Sequence, residues 1–462
     1  MTGYLFDPGN VTLVTLFRNL GLRNLRIGGG SVDTMTVAGT GSDGYTGIDK
    51  LFAFAAAAGV KVIYSLRLLN PAARPIPNLT SVDAQIAGHI WACYREQVAS
   101  FAIGNEPDWH SYHTYPGHPL DPAITEAVPG VPGSAYRSYL ADWQRFASAV
   151  SAAAPGVVFC GPDTGAYSTQ TYTPSPASGV SWTQQFAIDL QSSGTVAEVT
   201  QHHYAGGGPG QTTAQQAISN MLSVQWVTGT APGTQPAGTT YTPYPWLYRH
   251  NCAPTAPAGL RYRLTEANDY LTGVPGASNG FASALWALDY LHWWATRGAA
   301  GVNFHNKQWL YTDTIVPDAA AGSGYAVTPK GYGIKAFDLG SAGRMFPVAI
   351  ANPGGVNATA YCVRADDCDY VTVINKTQGV AATDAAVTIT PPFPGPLGAE
   401  AVTLVSGEPG NPGAASARLG GATITGAAPW NGTWSAVQAD PQAGVCLTVQ
   451  ATSAAVVRIH GG

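Results

Sequence analysis

The chain has 462 residues, a formal net charge of -5, and side chains that are 45% hydrophobic and only 11% charged. That length accommodates one large domain with a smaller one beside it, and the mild acidity without any basic run argues against nucleic acid or an anionic membrane surface as a partner. No window reaches the roughly 18 consecutive apolar residues that a membrane-spanning helix needs, and Met1-Thr2-Gly3-Tyr4 lacks the basic-then-apolar pattern of a signal peptide.

In chain order, short β-rich runs alternate with amphipathic stretches. The predicted strands are Asn24–Gly28, Lys61–Leu66, Ser100–Gly104, Val157–Gly161, Val196–His202, Arg261–Thr265 and Gly301–His305. The predicted helices cover about 10–20, 47–58, 81–95, 135–152, 182–192, 213–223 and 279–296. This alternation is the pattern of βα units around a parallel sheet. It predicts an α/β chain with a (β/α)8 TIM barrel over residues 1–335. A closed barrel needs eight strands, so the first is expected upstream of Met1, or as a stub at Gly3–Phe6. The Pro/Gly/Thr-rich stretch 227–260 is expected to be a loop that shapes a cleft.

From residue 336 to 462 the pattern becomes period-two alternation broken by turn residues. Tyr370–Asn375, Ala386–Thr390, Ala401–Val405, Ala422–Thr425, Val445–Gln450 and Ala455–Ile459 read as antiparallel strands of a β-sandwich. The six cysteines form no CxxC pair and have no metal-like spacing with histidine. Cys362 and Cys368 bracket an acidic turn and read equally as a small disulfide loop or as two free thiols. No metal and no cofactor is called for.

The 27 acidic residues comprise seven glutamates and twenty aspartates. Two of the glutamates fall at the ends of predicted barrel strands: Glu106 after Phe101-Ala-Ile-Gly-Asn, and Glu266 after Tyr262-Arg-Leu-Thr. In this fold the C-terminal strand ends carry the catalytic groups. Counted with the expected first strand, the two sit on strands four and seven, on opposite sides of the barrel mouth. A carboxylate pair so placed can flank a glycosidic bond, one as nucleophile and the other as acid and then base. Asp33 at a strand end could accept hydrogen bonds from sugar hydroxyls, or cap the turn after Gly-Gly-Gly-Ser. Tyr204 could donate to the Glu266 carboxylate and keep it ionised, or be a satisfied core tyrosine. His202 and His203 alternate in direction, so at most one faces the cleft; His203 is taken with Tyr204 as lining it. His305 and Trp309 could form part of a sugar platform.

Ile103-Gly-Asn-Glu-Pro-Asp108 resembles the acid/base motif of clan A glycoside hydrolases, with Asn105 similar to the asparagine that contacts the sugar 2-hydroxyl. Leu25-Arg-Ile-Gly-Gly-Gly-Ser-Val-Asp33 resembles the second-strand motif of glycoside hydrolase family 79, the β-glucuronidases and heparanases. His202-His-Tyr204 and Ser453-Ala-Ala-Val-Val-Arg-Ile are similar to elements of the same family in the same order. The resemblance implies cofactor-free release of terminal β-D-glucuronic acid with retention, Glu106 as acid/base and Glu266 as nucleophile. It also implies that Tyr270, Gly273 and Tyr311 hold the sugar carboxylate, and that a first-strand glutamate ahead of Met1 binds the distal hydroxyls. The expected partner is a β-glucuronide or glucuronate-containing glycan. Location stays open, with secretion or a periplasmic site favoured by that chemistry. Endo-cleavage as in heparanases is the close alternative, although the active-site segments hold few Lys or Arg. A neutral-sugar glycosidase of the same clan and a catalytically silent carbohydrate-binding barrel are the others.

Overall fold

A computed structural model describes the chain except residues 1–4, 34–43, 71–74, 109–133, 166–180, 208–211, 232, 240–241, 308–309, 321–323, 392–396, 441–443 and 462. Seven strands, β1 (Asn24–Ile27), β2 (Lys61–Leu66), β3 (Val98–Ile103), β4 (Phe159–Thr164), β5 (Val196–Gly206), β6 (Arg261–Tyr270) and β7 (Val302–Phe304), pair side by side in chain order. Every pairing is parallel. Around them run α1 (Val11–Asn19), α2 (Thr46–Ala58), α3 (Leu79–Tyr94), α4 (Ser134–Ala153), α5 (Trp182–Leu190), α6 (Ala214–Met221), α7 (Gln225–Thr228), α8 (Tyr244–Leu247), α9 (Ala282–Ala295) and α10 (Pro329–Gly340). The sheet is that of a TIM barrel.

The local rules account for these elements. Asn10 caps α1 by accepting from Leu13 N at 3.2 Å, and Leu13, Val14, Leu16 and Phe17 bury one face at helical spacing. Gly59 ends α2 at φ 77°, a conformation that costs glycine nothing. Phe101, Ala102 and Ile103 of β3 are buried, as expected of a parallel strand covered on both faces.

β1 and β7 differ from the strands between them, because every residue of both is only partly buried. No strand lies between them among the described residues, and the Asn303 side-chain amide bridges the seam to Asn24 Oδ1 at 2.9 Å. A cavity of about 1140 Å³ follows this seam, lined by Phe17, Leu25, Ile27, Val302 and Phe304 and reaching Glu266 at its upper end. Gly3 and Tyr4, half of the expected stub, lie outside the described residues; Leu5 and Phe6 form a bend, and Phe6 packs on Phe17 and Phe54.

The stretch 227–260 is not a plain loop. It contains α8 and two further helical turns, Tyr248–Cys252 and Ala253–Ala258. Tyr244 stacks on Trp226, and Asn251 donates to Gln201 on β5. An aromatic-rich stretch with buried anchors therefore packs against the barrel wall.

After the hairpin of β8 (Ile315–Asp318) and β9 (Gly324–Val327), the remaining strands are antiparallel. They are β10 (Arg344–Phe346), β11 (Ala358–Arg364), β12 (Asp369–Asn375), β13 (Ala385–Ile389), β14 (Leu397–Ser406), β15 (Ala417–Leu419), β16 (Ser435–Ala436), β17 (Gln438–Asp440), β18 (Gly444–Val449) and β19 (Ser453–Gly461). One sheet runs β10-β11-β12-β19-β14-β15 and the other β13-β18-β17. Between their faces Val371, Val373, Val445, Val457 and Ile459 are buried together. The predicted strand Ala422–Thr425 is absent: Gly420 and Gly421, both at positive φ, turn the chain there, and the pairing belongs to β15. α10 crosses the expected division at 335/336, and Gly340 lies against Val456 and Thr372. All six cysteines are free thiols; Cys362 stands opposite Val371, not Cys368.

Candidate active site

Two backbone features aim the glutamates. β3 is followed by Gly104 at φ 82°, where a Cβ would stand 2.8 Å from Leu68; only glycine fits. Glu106 follows at φ 47°, with its N–H donating to Asp163 O at 2.9 Å. A non-glycine residue in this region is uncommon and is held by its surroundings. On the facing side, the β5–β6 register shifts between Gln201 and His202, leaving Thr265 with no partner on β5 and Glu266 opposite His202. The bulge turns both Thr265 and Glu266 inward, where regular alternation would send one away.

The side chains that meet there come from six strands or the turns just beyond them. Tyr204 donates to Glu266 Oε1 at 2.6 Å, and Arg26 Nη1 donates to Oε2 at 3.0 Å. Arg26 Nη2 donates to Asn105 Oδ1 and Asp163 Oδ2, each at 2.8 Å. His202 Nδ1 stands 2.9 Å from Glu106 Oε1, and its Nε2 lies 3.8 Å from Asp163 Oδ1. Thr265 Oγ1 donates to Asp163 Oδ1 at 2.6 Å. His305, beyond β7, places Nδ1 2.9 Å from the Tyr204 hydroxyl.

The charges follow from these contacts. Burial alone pushes the Glu266 carboxyl up, but the charges of His202, His305 and Arg26 and the Tyr204 hydrogen bond outweigh it and bring it to about 2. Burial pulls His202 down, and the Glu266, Asp163 and Glu106 carboxylates more than reverse this, to about 9. Asp163 is driven up by burial and brought far below the carboxylate range by Arg26 and His202. Asp108 accepts from Gly165 N at 2.9 Å, yet burial and then the nearby Glu106 lift it to about 8. A carboxylate oxygen of Glu106, a ring nitrogen of His202 and a carboxylate oxygen of Glu266 lie within 4.8 Å of one another.

The other predicted residues divide. Asn105 joins the cluster through Arg26. Asp33 Oδ1 accepts from the N–H groups of Leu68 and Leu69 at 2.8 and 2.9 Å, which fastens the turn after β2. His203 is a correction: it points out of the barrel, Nε2 3.0 Å from Thr242 O and Nδ1 3.2 Å from the Tyr290 hydroxyl, within a nest of Trp226, Tyr244 and Trp294. Strand alternation is the reason, since Tyr204 faces Glu266 and His202 shares its side. Tyr270 is a second correction: its ring lies on Gly206 and its hydroxyl accepts from Asn220 of α6 at 3.1 Å, in the core. Gly273 and Tyr311 do meet, since a Cβ on Gly273 would stand 2.8 Å from that of Tyr311, and Tyr311 is exposed. Lys330 Nζ, fully buried, holds the adjoining chain by donating to Thr312 O at 2.7 Å and to Asn268, whose amide donates to His305 O. Trp309 lies outside the described residues.

Sequence reasoning assigned no role to Arg26, Asp163 or Thr265. Arg26 stood inside a quoted motif as a lone cation on a barrel strand, which was a usable signal; Gly161-Pro-Asp163 gave none.

The architecture is shared with known enzymes. The chain superposes on a 4-O-α-L-rhamnosyl-β-D-glucuronidase from Fusarium oxysporum with TM-score 0.68 and 16% identity, over 97% of this chain and 93% of that one. A family 44 xyloglucanase from Paenibacillus polymyxa gives TM-score 0.60 and 11% identity over 96% and 94%. A β-xylosidase from Caulobacter crescentus gives TM-score 0.55 and 15% identity over 98% and 93%. The chain has the fold of these barrel glycoside hydrolases. No protein-family model and no curated protein matches it, so the resemblance to family 79 rests on its motifs.

Proposed function

We propose that the chain is a retaining glycoside hydrolase acting on a terminal β-D-glucuronide, with Glu266 as nucleophile and Glu106 as acid/base. The observation that carries this reading is the carboxylate separation. One carboxylate oxygen of Glu106 and one of Glu266 lie within 4.8 Å of each other, which is compatible with the about 5–5.5 Å separation of retaining enzymes and short of the roughly 6.5–9.5 Å that leaves room for water in inverting ones. Glu266 is ionised across the working pH range, as a nucleophile must be.

In the first step a Glu266 oxygen bonds to the anomeric carbon, the glycosidic C–O bond breaks, and Glu106 gives its proton to the leaving oxygen. In the second, Glu106 takes a proton from water as the hydroxide equivalent displaces Glu266. The sugar identity rests on the family 79 motifs and on the glucuronidase among the structural neighbours. A neutral sugar is the second reading, favoured by the burial of the Tyr270 hydroxyl against Asn220, which removes one expected carboxylate contact.

Hydrolysis of p-nitrophenyl β-D-glucuronide, glucoside and xyloside, with Glu106→Gln and Glu266→Gln beside the wild type, tests both readings. Release from the glucuronide alone, lost in both variants, is the expected result. Release from a neutral glycoside keeps the mechanism and removes the sugar assignment. Turnover that survives both substitutions overturns the catalytic pair.

A further inference from the structure

β4 ends in an aspartate whose contacts reach both halves of the catalytic pair. Asp163 sits at φ 55° with only 1% of its side chain exposed, so it presents no surface to a substrate. Its backbone N–H donates to Thr200 Oγ1 at 2.8 Å and its carbonyl accepts from Glu106 N at 2.9 Å. Its carboxylate takes Arg26 on Oδ2 and Thr265 on Oδ1, and faces His202 Nε2 at 3.8 Å, longer than a hydrogen bond. Arg26 and His202 are in turn the groups on Glu266 and Glu106.

We propose that Asp163 is a positioning residue for the reaction, a fixed counter-charge that keeps His202 cationic and Arg26 in place while one negative charge passes between the two glutamates. This rests on Glu106 and Glu266 acting as acid/base and nucleophile.

The charge count supports it at each stage. Before reaction, Arg26 and His202 are positive and Asp163 and Glu266 negative, and the acid role requires Glu106 to carry its proton, so the buried cluster is neutral. When Glu266 forms the glycosyl ester it loses its charge, and Glu106, having given its proton to the leaving oxygen, acquires one. The cluster is neutral again. His202 Nδ1–H then donates to an ionised Glu106, and Asp163 faces the other ring nitrogen, so both N–H groups have an anion. Without Asp163 the cluster would carry an uncompensated positive charge at both stages, which is costly in a buried site.

The groups facing His202 are Glu106 beyond β3, Asp163 on β4, Glu266 on β6, Arg26 on β1, His305 beyond β7 and, at longer range, Asp108. Burial favours the neutral ring, and the Glu266 charge together with the Asp163 and Glu106 contacts holds it at about 9. Removing the Asp163 charge lowers the proton affinity of His202.

The test is the pH profile of kcat/KM for Asp163→Asn, with Thr265→Val as a control that removes a hydrogen bond to the same carboxylate but leaves its charge. The expected result is a basic limb displaced downward by about one pH unit in Asp163→Asn, with KM nearly unchanged, and no displacement in Thr265→Val. A uniform fall in kcat with an unmoved limb overturns the proposal. A second readout needs no turnover: ¹⁵N imidazole resonances, with His202 identified by its loss in His202→Gln. His202 should titrate lower in Asp163→Asn than in the wild type, and an unchanged titration also overturns the proposal. Inactivity of the wild type on every glycoside, with the shift in His202 intact, would fault the enzyme reading and leave the charge role standing.

Discussion

The Tyr204 hydroxyl lies 2.6 Å from Glu266 Oε1 and 2.9 Å from His305 Nδ1, so a single phenol links the proposed nucleophile to the end of β7. A donor to the ionised form of a carboxyl lowers its pKa. Tyr204→Phe should therefore raise Glu266 from about 2 toward the ordinary range, and the acid limb of kcat/KM should move to higher pH. A hydrogen bond to a charged group contributes about 1.5–3 kcal/mol, or roughly ten- to a hundredfold in kcat. A stationary acid limb in a pH–rate profile would show that Tyr204 acts by packing alone.

Arg26 serves three acceptors on three other strands with one planar guanidinium. Arg26→Lys keeps the charge and loses the fork, because an ammonium on a flexible stem cannot hold Asn105, Asp163 and Glu266 in that geometry. Steady-state kinetics should show kcat lower by about a hundredfold, roughly 2.7 kcal/mol, with KM altered severalfold at most. Equal kcat for Lys and Arg would mean that charge alone is required.

The barrel was legible because its strands are short apolar runs separated by amphipathic stretches, and because Arg261–Thr265 runs straight into Glu266 and Ser100–Gly104 reaches Glu106 one residue later. Tyr204 was legible as a donor to Glu266, but the other partners of those glutamates were not. Arg26, Asp163 and His202 converge from three strands through the pairing of the sheet and through a bulge at Thr265, and neither leaves a trace in the periodicity of any one segment. The choice of His203 shows a rule applied incompletely: once Tyr204 is turned to Glu266, alternation already selects His202. Tyr270 failed for another reason, since Gly206 beneath its ring leaves room for the side chain to fold into the core.

His203 should behave as a structural residue. Burial brings it to about 4 from an ordinary 6.5, against a weaker opposing pull from Thr242 O. A histidine depressed in the folded state adds stability above its unfolded pKa, and this is lost as pH falls from about 6.5 toward 4. The size of the shift corresponds to a loss of order 3 kcal/mol. Urea midpoints at pH 7 and pH 4.5 should differ in the wild type, and by less in His203→Phe. That variant should also keep its kcat at pH 7, where His202→Phe loses most of it. A large loss of kcat in folded His203→Phe would return His203 to the catalytic face.

The junction of barrel and antiparallel sheets holds a buried ion pair. Asp289 of α9 accepts from Lys376 Nζ, the Tyr361 hydroxyl and Thr359 Oγ1, each at 2.7 Å, and both charged groups are almost fully buried. Removing one partner of a buried pair leaves the other charge uncompensated, at about 3–5 kcal/mol, whereas replacing both with apolar groups is often neutral. Asp289→Leu and Lys376→Met should each lower the urea midpoint sharply, and the double variant should recover most of the loss. Burial raises the Asp289 carboxyl, but Lys376 and the two hydroxyls more than offset this and hold it below the ordinary range. Its contribution is therefore present above the ordinary aspartate value and is lost as pH falls below it. The double variant should show a flatter stability curve on the acid side than the wild type. Additive losses in the two single variants would mean that the pair is not coupled and that the junction is held by apolar packing alone.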